Sequence, residues 1–268
     1  MNSTCAEIMN SFRLIDLPVK PEILRPQIIH FEELDSTNAY LLSRHPHPSG
    51  SIVWADFQSA GRGRLGRSWV SPRDEALLFS IFLKNNNQIA PLFIYPFLTA
   101  VGVLEALQNL VAPAWLAVKW PNDVLLKNLK VGGILVQSKT RASNNTNIVI
   151  GIGVNVNQNA AFFNANLPFA GSLFSIIGKK FERFAVLTEI VSALDRNLQD
   201  LQVNGPQAIL QKWRDHCPFF GQAIRVDDGR QVYSGKFQDI TADGGLILQT
   251  GQTRQIFHAA DVTVVKER

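Results

Sequence analysis

Hydrophobic runs of two periods alternate through most of the chain. From Gln27 a β run, IIHFEEL, leads into Asp35-Ser36-Thr37-Asn38, side chains suited to the N-cap of a helix over AYLLSR. Short β-branched runs then predict strands at Ser51–Asp56 (SIVWAD), Ala76–Leu83 (ALLFSIFL), Ala117–Trp120, Val124–Leu126, Val131–Ser138 and Ile148–Val156. Between the last two lies a polar hairpin loop, QSKTRASNNTN. Helical spacing predicts helices over Pro91–Leu110, entered through prolines, and over Ala185–Leu201 and Pro206–Arg214. Val131–Ser138 is a candidate edge strand for pairing across a two-fold axis, which leaves monomer and homodimer both open.

The pattern changes near Phe219–Gly221. Beyond it, five short strands punctuated by Asp227-Asp228-Gly229 and Asp243-Gly244-Gly245 fill the chain to its end, as in a small all-β barrel. The expected organisation is an N-terminal extension (1–26), an α+β domain (27–219) and a barrel (220–268). The extension carries Pro18, Pro21 and Pro26 and offers one short helix around Ala6–Leu14, too little for a helix-turn-helix. Sequence-specific DNA binding is therefore not expected.

Composition narrows the class further. With 46% hydrophobic and 18% charged residues in 268, the chain is an ordinary globular protein. Its net charge of +4 leans mildly towards anionic partners. Cys5 and Cys217 are far apart, and the five histidines form no metal-ligand spacing, which fits a reducing cytoplasm and argues against a zinc site. The apolar run Ile89–Leu104 is broken by Pro91, Pro96 and Gly102 and is too short for a membrane span; no signal peptide is visible.

The arginines cluster in one place, QSAGRGRLGRSW at 58–69. Gly61, Gly63 and Gly66 satisfy G-x-G-x-x-G, but a dinucleotide fingerprint must open a helix that receives the pyrophosphate, and here a proline-broken turn and a strand follow. No Walker loop occurs, and basic interleaved aromatics of a single-strand nucleic-acid binder are missing. Arg62, Arg64 and Arg67 on a flexible loop repel one another, so an anion that neutralises them would help order it. The loop is expected to be mobile when empty and ordered over a phosphate.

Further polar chemistry lies in KWPND (119–123), a tight turn between strands. KVGGILV (130–136) and GIGVN (151–155) are apolar strands whose glycines let a ligand approach the backbone. Together Ser36-Thr37-Asn38, Gln58, GRGRLGR, KWPND, KVGGILV and GIGVN, in this order, resemble the biotin protein ligase family. The resemblance covers roughly Glu33 to the C-terminus. It implies an α+β catalytic domain around a mixed sheet of the biotin/lipoate ligase type, followed by an SH3-like β-barrel, in a ligase-only protein.

The implied biotin site takes in Ser36, Thr37, Asn38 and Gln58 at the ureido ring, and Gly61, Arg62, Gly63 and Arg64 of the loop. Lys130, Gly132 and Gly133 complete it, with Trp54 and Ile134 as apolar walls. Arg64, Arg67, Trp69, Lys119, Asn122, Asp123 and Asn155 fall on the implied ATP side. Lys130, Arg64 and Arg62 are the implied catalytic cations, helped by Mg²⁺ on the phosphates, and no side-chain metal cage is implied. The implied reaction joins biotin and ATP into biotinyl-5′-AMP, then transfers biotin to a lysine of the apo biotin carboxyl carrier protein of acetyl-CoA carboxylase. The rival readings are a lipoate or octanoate ligase and a small nucleic-acid-binding module.

Overall fold

The computed structural model describes residues 12–43, 47–85, 90–140, 146–164 and 167–265. Eight strands form one mixed sheet: β1 (Phe12–Asp16), β2 (Gln27–Phe31), β3 (Ser51–Ala55), β4 (Ala76–Asn85), β5 (Leu116–Lys119), β6 (Asp123–Leu126), β7 (Leu129–Thr140) and β8 (Thr146–Asn155). Their order is β1-β2-β3-β4-β8-β7-β6-β5. β2 and β3 pair in parallel, so the chain crosses over between them through α1 (Thr37–Ser43); every other pair is antiparallel. Ser36 caps that helix as its sequence suggests, its Oγ accepting from the Ala39 N–H at 3.4 Å.

The central strands read as almost unbroken apolar runs because helices cover one face of the sheet and α1 covers part of the other. Leu77, Phe79, Ile81, Ile134, Ile150 and Ile152 face α2 (Ile94–Gln108) and the long helical span Arg183–Asp215. Val53, Phe82 and Val149 face the other way, into a smaller cluster with Leu34 and Leu41 around α1. The two large helical elements approach closely: a Cβ on Gly102 would lie 2.5 Å from Leu194 Cδ2. The span Arg183–Asp215 is interrupted at Gly205 (φ 75°) before Pro206, which lacks the N–H to continue the first helix. The two helices expected on either side therefore abut.

Two expectations are corrected here. Val131–Ser138 lies inside β7, flanked by β6 and β8, so it is an interior strand; the edges are β1 and β5. Phe12–Leu14, assigned to a short helix, belong to β1, paired with β2 from Phe12↔Phe31 to Asp16↔Gln27. Pairing against a preformed strand outweighs local helix propensity there; residues 6–11 of that expectation lie outside the described residues. The turn after β1 is pinned by the buried Asp195 carboxylate, which accepts from the N–H groups of Glu22, Ile23 and Leu24 at 2.7–2.9 Å.

The C-terminal part is a five-stranded antiparallel sheet, β9 (Ala223–Asp227), β10 (Val232–Ile240), β11 (Leu246–Thr250), β12 (Thr253–Phe257) and β13 (Asp261–Val264), in the order β12-β11-β10-β9-β13. Gly229 and Gly244 take φ of 84° and 80° at the two expected turns. This sheet is fastened to the preceding part of the chain at several points. Trp120 Nε1 donates to Gly244 O at 2.9 Å, and Arg214 Nε donates to Asp239 Oδ1 at 2.8 Å.

Candidate active site

Where α1 ends, the uncovered face of β4, β7 and β8 opens into a cleft of about 1060 Å³. Its far wall is the C-terminal sheet, through Gln222, Ala223, Lys236 and residues 261–265.

One end of the cleft is a chain of buried hydrogen bonds. Gln58 Oε1 accepts from Thr37 N at 2.7 Å and Thr37 Oγ1 at 3.0 Å. Thr37 Oγ1 meets Ser80 Oγ at 2.6 Å, and Ser80 Oγ donates to Asn38 Oδ1 at 2.6 Å. Asn38 Nδ2 donates onward to Gln137 Oε1 at 2.8 Å. Gly151 makes room for this relay, since a Cβ there would lie 2.3 Å from Asn38 Oδ1. A buried array of this kind orients a neutral polar ligand group, because unmatched donors and acceptors are costly away from water.

The floor is made of glycine for another reason. Gly133 of β7 pairs in register with Gly153 of β8, and the Trp69 ring lies on both: added Cβ atoms would sit 2.8 Å and 2.6 Å from it. The indole thus occupies backbone that the sequence left open for a ligand. Gly61 serves the same loop, its missing Cβ avoiding Trp69 O at 2.5 Å.

Cations share the cleft with the polar relay, Arg62 beside Ser36 and Gln137 and the others around Asp123, Asn122 and Asp261. Asp123, 13% exposed, bridges Lys130 Nζ at 2.5 Å and Lys119 Nζ at 3.4 Å. Arg64 Nη1 donates to Asn122 Oδ1 at 3.1 Å, while Asn122 Nδ2 donates to Ile134 O at 2.6 Å. Burial lowers the Arg64 pKa, and Arg67 adds to that; Asp261 and Asp123 oppose it. Arg67 pairs with Asp261 of β13, so the protein supplies part of the counter-charge that the arginine loop needs. The cleft lining carries Arg62, Arg64, Arg67, Lys119, Lys130 and Lys236 against Asp123 and Asp261, an excess of four that equals the whole chain's formal charge of +4. The field that attracts anions is therefore focused where they would bind.

Ser36, Thr37, Asn38, Gln58, Arg62, Gly63, Arg64, Arg67, Trp69, Lys119, Asn122, Asp123, Lys130, Gly133 and Asn155 all line this cleft. Gly61 and Gly132 do not; a Cβ on Gly132 would face Val124 at 3.3 Å. Trp54 is not a wall either. It points to the helix face, stacked on Phe184 with Arg183 above the ring at 5.4 Å. Ile134 borders the cleft but belongs to the helix-side core. Asn155 uses its side chain to hold neighbours, donating to Gly171 O at 3.0 Å and accepting from Gln158 Nε2 at 3.0 Å. It thereby fixes the segment 167–171, which pairs with Lys130 through Lys130 N to Phe169 O at 2.9 Å and Gly171 N to Lys130 O at 3.0 Å. Leu167 and Phe169 of that segment line the cleft, 44% and 77% exposed.

Three contributors were not found from sequence. Ser80 is the lone polar residue in ALLFSIFL, where the apolar run predicts only a strand. Asp261 gives no sequence signal, since its role depends on a contact far along the chain, and in the segment after Asn157, which matches the family only loosely, the sequence does not single out Leu167–Ala170.

A mixed sheet whose one cleft holds both a buried polar relay and concentrated positive charge defines a small-molecule-binding α+β enzyme. Residues 30–155 match the model of the biotin/lipoate A/B protein ligase family, and residues 219–265 match the biotin protein ligase C-terminal domain. The chain is 34% identical over 233 residues to the biotin–[acetyl-CoA-carboxylase] ligase of Paracoccus denitrificans, covering 85% of this chain and 96% of that one. It is 30% identical over 249 residues to the bifunctional ligase/repressor BirA of Bacillus subtilis, covering 91% and 76%. The biotin protein ligase from Aquifex aeolicus in complex with biotin and ATP superposes with a TM-score of 0.75 at 27% identity, covering 90% of this chain and 99% of that one. The chain belongs to the biotin protein ligase family.

Proposed function

We propose that this cleft condenses biotin with ATP and passes the biotinyl group to a lysine of the biotin carboxyl carrier protein of acetyl-CoA carboxylase. The observation that carries the reading is the make-up of one cleft: a neutral hydrogen-bonding relay and six cations share its lining. That is the distribution a molecule with a polar, uncharged ring and a carboxylate tail requires when its tail must meet a triphosphate.

In the first step a biotin carboxylate oxygen attacks the α-phosphorus, and the bond from that phosphorus to pyrophosphate breaks. In the second, the acceptor lysine's amine attacks the acyl carbon, the bond to AMP breaks, and the amine gives up a proton. Thr37, Gln58, Ser36 and Asn38 orient the ureido ring. Arg62, Arg64 and Lys130 offset the repulsion between carboxylate and phosphate, and Asp123 at 2.5 Å holds the Lys130 ammonium in place. Trp69 on its glycine floor and Leu167 and Phe169 opposite make apolar faces for the adenine, with Lys119, Asn122 and Arg67 on the nucleotide side. Among the described residues no group of three metal-ligating side chains occurs. Mg²⁺ brought with the nucleotide would offset part of the phosphate charge beside Arg62, Arg64 and Lys130. Among the described residues no helix is long and apolar enough to cross a membrane, and we place the reaction in the cytoplasm, where biotin, ATP and the carrier meet.

Biotin-dependent exchange of pyrophosphate into ATP tests this directly. Exchange with biotin and none with lipoate or octanoate is expected. Exchange supported by octanoate and not by biotin would establish the rival ligase, and absence of exchange with any acid would remove the adenylation reading altogether.

A further inference from the structure

Most cations in the cleft already have a partner. Lys119 and Lys130 share Asp123, Arg67 pairs with Asp261, and Arg64 donates to Asn122. Arg62, on the loop, and Lys236 do not; among the described residues neither side chain has an ion pair or hydrogen bond, and Lys236 lines the cleft from the C-terminal sheet. Its place there is fixed by register. Lys236 of β10 pairs with Ala223 of β9, Phe237 N donates to Gln222 O at 2.9 Å, and both Gln222 and Ala223 also line the cleft. The chain leading into β9 is tied to the first sheet, since Val118 N, one residue before Lys119, donates to His216 O at 3.0 Å. Lys119 and Lys236 thus line the one cleft from strands of different sheets.

Resting on the adenylating function proposed above, we infer that Lys236 binds the β- and γ-phosphates of ATP and the departing pyrophosphate. Displacement at the α-phosphorus is in line, so the leaving group departs on the side away from the attacking carboxylate. The carboxylate lies on the loop and Lys130 side, and the wall beyond the nucleotide is the C-terminal sheet. A cation left unpaired on that wall meets charge that grows on the pyrophosphate as the bond breaks. The C-terminal sheet thereby contributes a substrate-binding residue as well as a wall.

The test uses the whole chain and separates the two half-reactions. Lys236→Met should raise the KM for ATP in biotin-dependent pyrophosphate exchange by about tenfold, the loss of one charge-assisted phosphate contact. The KM for biotin should stay unchanged. Lys236→Arg should recover most of the ATP affinity, which a merely structural role would not predict at this exposed position. Transfer from preformed biotinyl-5′-AMP to the carrier protein should proceed at the wild-type rate. An unchanged ATP KM in Lys236→Met overturns the assignment, and so does a defect confined to the transfer step, which would move Lys236 to the carrier's docking surface. If the wild-type chain itself shows no biotin-dependent exchange, the adenylating function fails before Lys236 is tested.

Discussion

Gly151→Ala is the sharpest probe of the polar relay, because it adds one methyl group and removes none of the atoms that touch a ligand. The new Cβ would lie 2.3 Å from Asn38 Oδ1, 2.9 Å from Cγ and 3.0 Å from Nδ2, so the whole Asn38 amide must move. Gly151 lies in a regular strand with no positive φ, and the effect is purely one of space. Displacing Asn38 breaks its bonds with Ser80 at 2.6 Å and Gln137 at 2.8 Å, and leaves the fully buried Ser80 hydroxyl with Thr37 alone. A buried polar group deprived of its partner costs about 1–3 kcal/mol and overpacking a similar amount, so a loss of about 3 kcal/mol is expected. For a chain of this size that corresponds to a fall in Tm of about 6–12 °C. Because Thr37 is oriented from both sides, by Gln58 and by Ser80, biotin binding should weaken about tenfold or more, equivalent to one misdirected hydrogen bond. Gly132→Ala, on the opposite face against Val124 at 3.3 Å, is the control and should leave biotin affinity untouched. Calorimetric titration of biotin into both folded variants decides the matter. A Gly151→Ala protein that binds biotin as the wild type does would refute the claim that the relay positions the ligand.

Other outcomes follow from the cation cluster and the core. Lys130→Ala should keep the fold yet lose adenylation by at least about a hundredfold; biotinyl-AMP formed at a near wild-type rate in single-turnover assays would contradict this. Arg64→Gly removes a half-buried clamp and should shed biotinyl-AMP, seen as biotin on lysines of bystander proteins, while hydrogen exchange in residues 60–68 of the wild type should slow from empty to biotin-bound to adenylate-bound enzyme. Burial, augmented by Asp239 and opposed by a Phe219 N–H, pushes the Cys217 thiol up to about 12, so the native thiol should resist alkylation at pH 8, read by mass spectrometry of its peptide. Since this folded-state value lies above the ordinary 9.0, the stabilising contribution is complete below about pH 9 and is lost as pH rises towards 12; denaturant midpoints should fall less over that window once Cys217 is replaced by Ala, with buried Tyr95, likewise pushed up to about 12, accounting for part of the remaining fall.

What the sequence by itself determined is local. Two-residue and 3.6-residue periods marked the strands and helices, because burial of one or both faces writes itself into neighbouring positions. Gly205-Pro206 announced the break in the long helical span, and Asp243-Gly244-Gly245 the turn, because only certain residues fit those backbones. The ordered set from Ser36 to Asn155 brought most of the cleft lining together under one family resemblance. Only the tertiary structure decided which face each strand residue takes. Trp54 reads as apolar as Leu78, yet one step of alternation puts it on the helix side and Leu78 in the cleft. Nor could spacing reveal that Val131–Ser138 is interior, since strand order is set by pairing between distant segments. The Arg67–Asp261 contact spans 194 positions, and Lys236 reaches the cleft because a second sheet closes over the first. Contacts of that separation arise from packing two layers together and leave no periodic trace in the chain.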